Sequence, residues 1–557
     1  MATSASGADN PTTAIKVDQV GYPIDGPKFA LVSAPAETFS VKRSSDNRVV
    51  FQSKLGPGAN DADSGDKIEA ADFSALQEPG RYYIDVPGVG RSWNFSIAPN
   101  VYSRTYYLAM RAFYGQRCGT AVDLGSEFPG YTHPACHLKG EFHPSSGQQG
   151  PRDTIGGWHD AGDYGRYVVN SGISTGSLLW AWEMFREKLK AIHLNIPESG
   201  NGSPDILNEA RWNIAWMLEM QDDDGGVWHK QTSVHFAGFV MPQDDPLPSE
   251  VTGTGSAPYK STCATADLAS VAAIAARVYQ PFDRNFAAKN LAAARKAWAW
   301  TEKYPNVTFR NPAGISTGEY GDDNCSDERL WAAAELWRTT GEARYGDFFL
   351  KNYQGFLSQL DTAPAEGWRE VAAMGLWTYA LSDRKGANQA VQKDIRERSV
   401  AVANRIAQTT AESPYHVSLK TKDYLWGSNG VAASYGVQLL VANAFAPDRR
   451  LVDAALDNLH YLLGRNTFSL SWVTQVGENP YRHPHHRPSG ADKNAEPWPG
   501  MLSGGPNAGR QDAVLRTLPP NLPPARVYAD EQASYASNEI AINWQAALVF
   551  LLAGELE

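Results

Sequence analysis

Trp93-Asn-Phe-Ser-Ile-Ala-Pro99 is where the chain changes texture, and the fold turns on how that change is read. Up to Ile97 the stretch alternates large apolar and small polar residues, the period of a strand with one buried face. Upstream lie Ile15-Lys-Val-Asp-Gln-Val20, Phe29-Ala-Leu-Val32, Phe39-Ser-Val41, Val49-Val-Phe51 and Tyr82-Tyr-Ile-Asp-Val86, separated by clusters of Gly, Pro, Asn and Asp. Short strands broken by such residues describe a small all-β sandwich, and since it gathers no catalytic residue types a packing or spacer role is expected. Downstream of Pro99 the period becomes helical. Leu178, Trp182, Phe185 and Leu189 share one helix face, as do Leu207, Ala210, Ile214 and Met217, and again Ala287, Leu291, Ala294 and Trp298. About a dozen helices without a convincing strand predict a large all-α domain, better suited to a double-layered barrel of hairpins than to a bundle. The expected organisation is a disordered tail over 1–13, a β-sandwich over 14–98 and a helical domain over 99–557.

A chain of 557 residues is too long for one ordinary core, which agrees with that division. The net charge of −11 argues against nucleic acid and anionic membranes as partners, since both need a basic surface. No apolar run approaches the roughly 20 residues of a membrane span. The first ten residues lack the charged-then-apolar layout of a signal peptide, so the expectation is a secreted protein without its leader or a cytoplasmic one. A monomer is expected. Four cysteines exclude a disulfide scaffold. Of these, Cys263 and Cys325 show no partner pattern and are expected as buried apolar fillers.

The chemistry centres on Gly156-Gly-Trp-His-Asp-Ala-Gly-Asp-Tyr-Gly165. A surface helix would not spend so much glycine, whereas a loop holding Asp160 and Asp163 close to a ligand would. Near the C-terminus, Glu539 precedes the apolar helical run Ile540-Ala-Ile-Asn-Trp544, where desolvation would keep it protonated. A protonated acid facing two ionised ones is what inverting glycoside hydrolysis needs; a plain helix-capping role for Glu539 reads equally well locally. Gly477-Glu-Asn-Pro-Tyr-Arg-His-Pro-His-His-Arg487 is a rigid, donor-rich loop suited to sugar hydroxyls, or else a solvated loop or metal site.

Two kinds of metal spacing stand out. Cys118, then 17 residues to Cys136-His137, then 21 to His159, offers four ligands for tetrahedral zinc, with His133 and His143 as competitors for the fourth place. A Cys118–Cys136 disulfide is the rival reading. Thr317-Gly-Glu319-Tyr-Gly-Asp322-Asp323 and Asp222-Asp-Asp-Gly-Gly226 are oxygen-rich loops of the kind calcium accepts, though neither has EF-hand spacing.

Taken together, Gly157–Asp163, Ser471–Arg487 and Tyr535-Ala-Ser-Asn-Glu-Ile-Ala-Ile-Asn543 resemble, in order, three signatures of glycoside hydrolase family 9, the inverting cellulases. Val17-Asp-Gln-Val-Gly-Tyr22 resembles the immunoglobulin-like module that precedes the catalytic domain in one branch. The resemblance implies an (α/α)6 barrel with an open cleft, acting on β-1,4-glucans as an endoglucanase or, alternatively, as an exo-acting glycosidase on short cello- or glucosamine oligomers. It implies Asp163 as general base, Asp160 as its helper in holding water and Glu539 as general acid. His485 and Arg487 would bind sugar, and Tyr535 would line the cleft. Zinc at Cys118, Cys136, His137 and His159 is similar to a site of that branch. Calcium at Thr317, Glu319, Asp322 and Asp323, closed by Asp361, is implied likewise. His159 departs from the Tyr of many members, and no dockerin or cellulose-binding module is recognisable.

Overall fold

The computed structural model describes residues 10–362 and 367–557; residues 1–9, most of the expected tail, lie outside them. Residues 10–13 are not tail, because Pro11 bridges Arg91 and Thr12 N donates to Arg91 O. One sheet of the N-terminal sandwich runs Ile15–Lys16, Phe29–Val32, Lys67–Asp72, Ala59–Asn60 in spatial order, and the other Gly21–Tyr22, Phe95–Ile97, Gly80–Val86, Thr38–Arg43, Val49–Lys54. Phe95 and Ile97 point into the core they share with Val32, Phe39, Val41, Tyr82 and Ile84. Lys67–Asp72, with the sequence Lys-Ile-Glu-Ala-Ala-Asp, carries few strand formers; its four-residue register against Phe29–Val32 makes it a strand.

The barrel's inner helices are Val168–Leu189, Thr262–Val278, Ser326–Thr340, Ala372–Ala380, Ser428–Phe445 and Ile542–Glu555, the last packing on both Ser428–Phe445 and Val168–Leu189 to close the ring. Thr262–Val278 is rich in alanine, which lets neighbouring helices approach from both sides, and nearly every residue in it is buried. The outer helices are Ser103–Gly115, Asp205–Glu219, Arg284–Lys303, Ala343–Asn352, Gln389–Glu412 and Arg449–Leu462; Arg284–Lys303, Ala343–Asn352 and Gln389–Glu412 bury fewer than half of their residues, while Ser103–Gly115 and Asp205–Glu219 bury most of theirs. This is the (α/α)6 arrangement.

Several expectations need correcting. The helical region holds a small sheet of Gly140–Phe142, Ser249–Thr252, Lys230–Thr232 and Arg166–Tyr167, whose strands are too short to print a period in the sequence. Cys263 and Cys325 are disulfide-bonded, tying the first turns of the Thr262–Val278 and Ser326–Thr340 helices across 62 residues. The final helix starts only at Ile542. Glu539 is extended (φ −74°, ψ 158°) and lies two residues before the N-cap, Ala541, and no side chain caps that helix. The sandwich is more than a spacer, since Gln19 Oε1 accepts from Glu478 N (3.0 Å) and Asn479 N (2.6 Å) in the loop that leads to His485.

Candidate active site

The Gly156–Gly165 loop is clamped at its root by Gln116, which follows the Ser103–Gly115 helix. His159 N donates to Gln116 O (2.7 Å), and Gln116 Nε2 donates to the carbonyls of His159 (3.2 Å) and Ala161 (2.8 Å). Two glycines are needed for what the loop touches. Gly157 has φ +75° and a Cβ there would lie 2.9 Å from the Trp216 ring; at Gly162 a Cβ would lie 1.8 Å from His485 O. That close approach joins the first motif to the second, and Arg487 seals it by donating from N (3.1 Å) and Nη1 (2.7 Å) to Gly162 O. The third motif joins through backbone as well: Glu539 bridges His485, Ala541 bridges Ala161, and Ile542 N donates to Asp160 O (2.9 Å).

Asp160, Asp163 and Glu539 thus line one cavity of about 400 Å³, together with Tyr320, Trp368, Trp426 and Trp544. Both oxygens of Asp160 are occupied: Oδ1 accepts from Asn170 Nδ2 (2.7 Å), Oδ2 from the Tyr320 hydroxyl (2.6 Å). Asp163 Oδ2 accepts from Gly165 N (2.9 Å) and the Tyr167 hydroxyl (3.1 Å), which fixes that oxygen on a residue that lines the cavity. Burial, then the Asp163 charge, push Asp160 up to about 8 against the pull of its two donors. The sequence suggested two ionised acids here; burial beside Asp163 instead raises Asp160 toward its neutral form. Burial, followed by Asp163 and Asp160, holds Glu539 well above the usual carboxylate range, which keeps its proton available.

His485 donates from Nδ1 to Gln532 O (2.7 Å), leaving Nε2 for a ligand, and its ring stands edge-on to Phe239 (5.1 Å). Arg487 spends Nε on Ala237 O (2.9 Å) and Nη1 on Gly162 O, and lies 5.5 Å from the Phe236 ring; much of its work is holding the site together. Tyr535 is at the rim, 37% exposed, against Trp426 at 5.4 Å. The sequence reading missed Asn170, Tyr167, Tyr320, Trp368, Trp426 and Trp544. Tyr320 was in view inside the acidic loop, but the acids around it drew the metal reading.

Of the metal sets, one converges. Ligand atoms of Cys118, Cys136, His137 and His159 lie within 4.8 Å of one another in a buried pocket, and the two thiols are free, which removes the disulfide alternative. His137 Nε2 is 3.2 Å from Asp245 Oδ2 while its Nδ1 is buried without a partner. This donor set fits tetrahedral zinc with a carboxylate behind one histidine. His133 instead donates from Nδ1 to Pro134 O, and His143 caps the turn at Ser145. The calcium set does not converge. Thr317 Oγ1 already accepts from Lys230 Nζ (3.1 Å), Glu319 and Asp323 pair with Arg310, Asp322 and Asp323 face Arg369, and Asp361 pairs with Arg398 (2.6 Å). Asp222 and Asp224 likewise pair with Lys260. Among the described residues no calcium ligand set is assembled from these groups, and no helix is long and apolar enough to cross a membrane.

Residues 102–552 match the family described as Glycosyl hydrolase family 9, and residues 10–91 match the Cellulase N-terminal ig-like domain. Endoglucanase D of Acetivibrio thermocellus is 39% identical over 97% of this chain and 83% of its own length. A cellodextrinase of Butyrivibrio fibrisolvens is 35% identical over 98% of this chain and 100% of its own. Among solved structures, a Zn-binding triple mutant of a family 9 endoglucanase superposes with a TM-score of 0.89 at 33% identity, over 96% of this chain and 100% of that one.

Proposed function

The chain belongs to glycosyl hydrolase family 9, and on that premise we propose that it cleaves internal β-1,4-glucosidic bonds of soluble cellulose-like glucans with inversion. One observation carries the reading: Glu539, held by burial well above the usual carboxylate range, shares one cavity with Asp160 and Asp163. Asp163 takes a proton from water through its unfixed oxygen as that water attacks the anomeric carbon. Asp160, held by Asn170 and Tyr320, keeps the water in line. Glu539 gives its proton to the leaving glycosidic oxygen. His485 and Arg487 would bind the flanking sugar, and Tyr535 with Trp426 would stack against another.

Cys118, Cys136, His137 and His159 would hold zinc, with His137 binding through Nδ1; when bound, the metal supplies structural closure behind the Asp160 loop rather than any chemical step. The Cys263–Cys325 disulfide favours an oxidising, extracytoplasmic compartment. Exo action on short oligomers is the second reading, favoured by the small cavity under Trp368, Trp426 and Trp544 and by the resemblance to a cellodextrinase.

The test is hydrolysis of carboxymethylcellulose with NMR detection of the first-formed anomer. We expect the α-anomer first, and roughly 10²–10⁴-fold losses in kcat for Glu539→Gln and Asp163→Asn. A β-anomer first, or full activity in either variant, would overturn the mechanism. Release of single sugars from one chain end would move the assignment to the exo reading.

A further inference from the structure

Each catalytic aspartate leans on a tyrosine, and one buried lysine reaches the supports of both. Lys230 opens the strand Lys230–Thr232, and its backbone is paired with Tyr167, the residue whose hydroxyl fixes Asp163 Oδ2. Its side chain serves the other aspartate. Nζ donates to Asn311 Oδ1 (2.7 Å), Gly318 O (2.7 Å) and Thr317 Oγ1 (3.1 Å). Two residues past Gly318 is Tyr320, in the left-handed region at φ +49°, with its hydroxyl on Asp160 Oδ2. The loop is also pressed onto Tyr167: a Cβ at Gly318 would lie 3.2 Å from Tyr167 Cζ, and the Tyr167 and Tyr320 rings are 4.6 Å apart.

Lys230 is fully buried, and all three ammonium protons are spent on the oxygens of this one region. A hydrocarbon side chain would fill the space without the cost of burying a charge, so packing alone does not account for it. One of the oxygens it holds, Thr317 Oγ1, is among those the sequence offers to a hard cation.

We propose that Lys230 is a positioning residue for the hydrolysis, its ammonium acting as the built-in cation of the Thr317–Asp323 loop that sets Tyr320 on Asp160 while its strand sets Tyr167 on Asp163. The proposal rests on the roles given above to the two aspartates. The charged and titratable groups that face it are Asp163 from the catalytic loop, Glu319 with its partner Arg310 from the acidic loop, Tyr167 across the strand and His229 beside it. Burial draws the lysine down to about 7, with Asp163 and Glu319 opposing, so those acids keep it charged in the acid-to-neutral range where the base must be ionised.

The experiment measures pH profiles of kcat and KM on carboxymethylcellulose for the full chain carrying Lys230→Met or Lys230→Arg, with thermal melting in parallel. Lys230→Met is expected to lose roughly tenfold or more in kcat with KM little changed. Its acid limb should move to higher pH by about half a unit, since a charge favouring the ionised base is gone. Lys230→Arg keeps the charge and should leave that limb in place. Wild-type kcat and limb in Lys230→Met, or a kcat loss equal to its unfolded fraction with an unmoved limb, would overturn the proposal. Should Lys230→Met fail to fold, Thr317→Val removes one of the ammonium's acceptors. A smaller kcat loss in the same direction supports the proposal, and an unchanged kcat sinks it. Activity surviving in Asp163→Asn would instead defeat the catalytic reading itself, whatever the lysine variants do.

Discussion

The Cys118–His159 cluster and the Thr317–Asp323 loop both carry metal-ligand residue types, yet they are completed in opposite ways. The first brings two thiols and two imidazoles within 4.8 Å of one another, largely buried, and leaves His137 Nδ1 without a hydrogen-bond partner. The second distributes its acids between Arg310 and Arg369 and its hydroxyl accepts from Lys230, while Asp361, on the Leu357–Thr362 helix, pairs with Arg398. Soft ligands in a buried pocket have few substitutes for a metal, whereas carboxylates near a surface have every arginine of the chain as a rival ligand. Composition alone does not separate the two situations; what separates them is whether other side chains reach the donor atoms first.

The sharpest way to break this contrast is to remove the metal. Cys136→Ser, or zinc-selective chelation, should lower Tm by roughly 10 °C and abolish bound zinc in elemental analysis, because a closed structural site contributes folding free energy directly. Calcium-selective chelation should shift Tm far less. Equal effects from both chelators would erase the distinction. Next in size is Tyr320→Phe. If the acidic loop exists to present this hydroxyl, kcat should fall roughly 10–100-fold with Tm nearly unchanged. The Tyr320 hydrogen bond pulls Asp160 down, so without it Asp160 rises further above its ordinary value and the acid limb of kcat should move to higher pH. A large loss of Tm with an unmoved limb would return the loop to a purely structural role. The smallest effect belongs to Asp361→Asn. Its half-exposed pair with Arg398 should be worth about 0–1 kcal/mol in urea unfolding, and a loss of several kcal/mol would point to a bound ion after all.

The residues that meet at the candidate site were legible because each sits in a motif whose local chemistry is unusual: two acids among glycines, an acid against an apolar run, histidines and arginines between prolines. The residues that hold them were not. Asn170 lies on an ordinary helix, Tyr167 on a two-residue strand, and Lys230 in a strand of three, none with a pattern that points to its partner. Glu539 could be named from sequence but not placed, since the helix pattern runs back over it and only the bridge to His485 shows the chain extended there. The sandwich was readable from alternation, apart from Lys67–Asp72, whose strand character comes from its neighbour. The Cys263–Cys325 bond, across 62 residues between two helix starts, had no local signature at all.

The contact between Gly162 and the His485 carbonyl has a consequence for anyone reshaping this enzyme. A library drawn across the Gly156–Gly165 loop can vary its other side chains, but position 162 is a fixed letter: even alanine would put a methyl group inside a carbonyl oxygen. Diversity has to come from other positions, such as Phe236, Phe239, Trp426 and Tyr535, whose side chains are exposed.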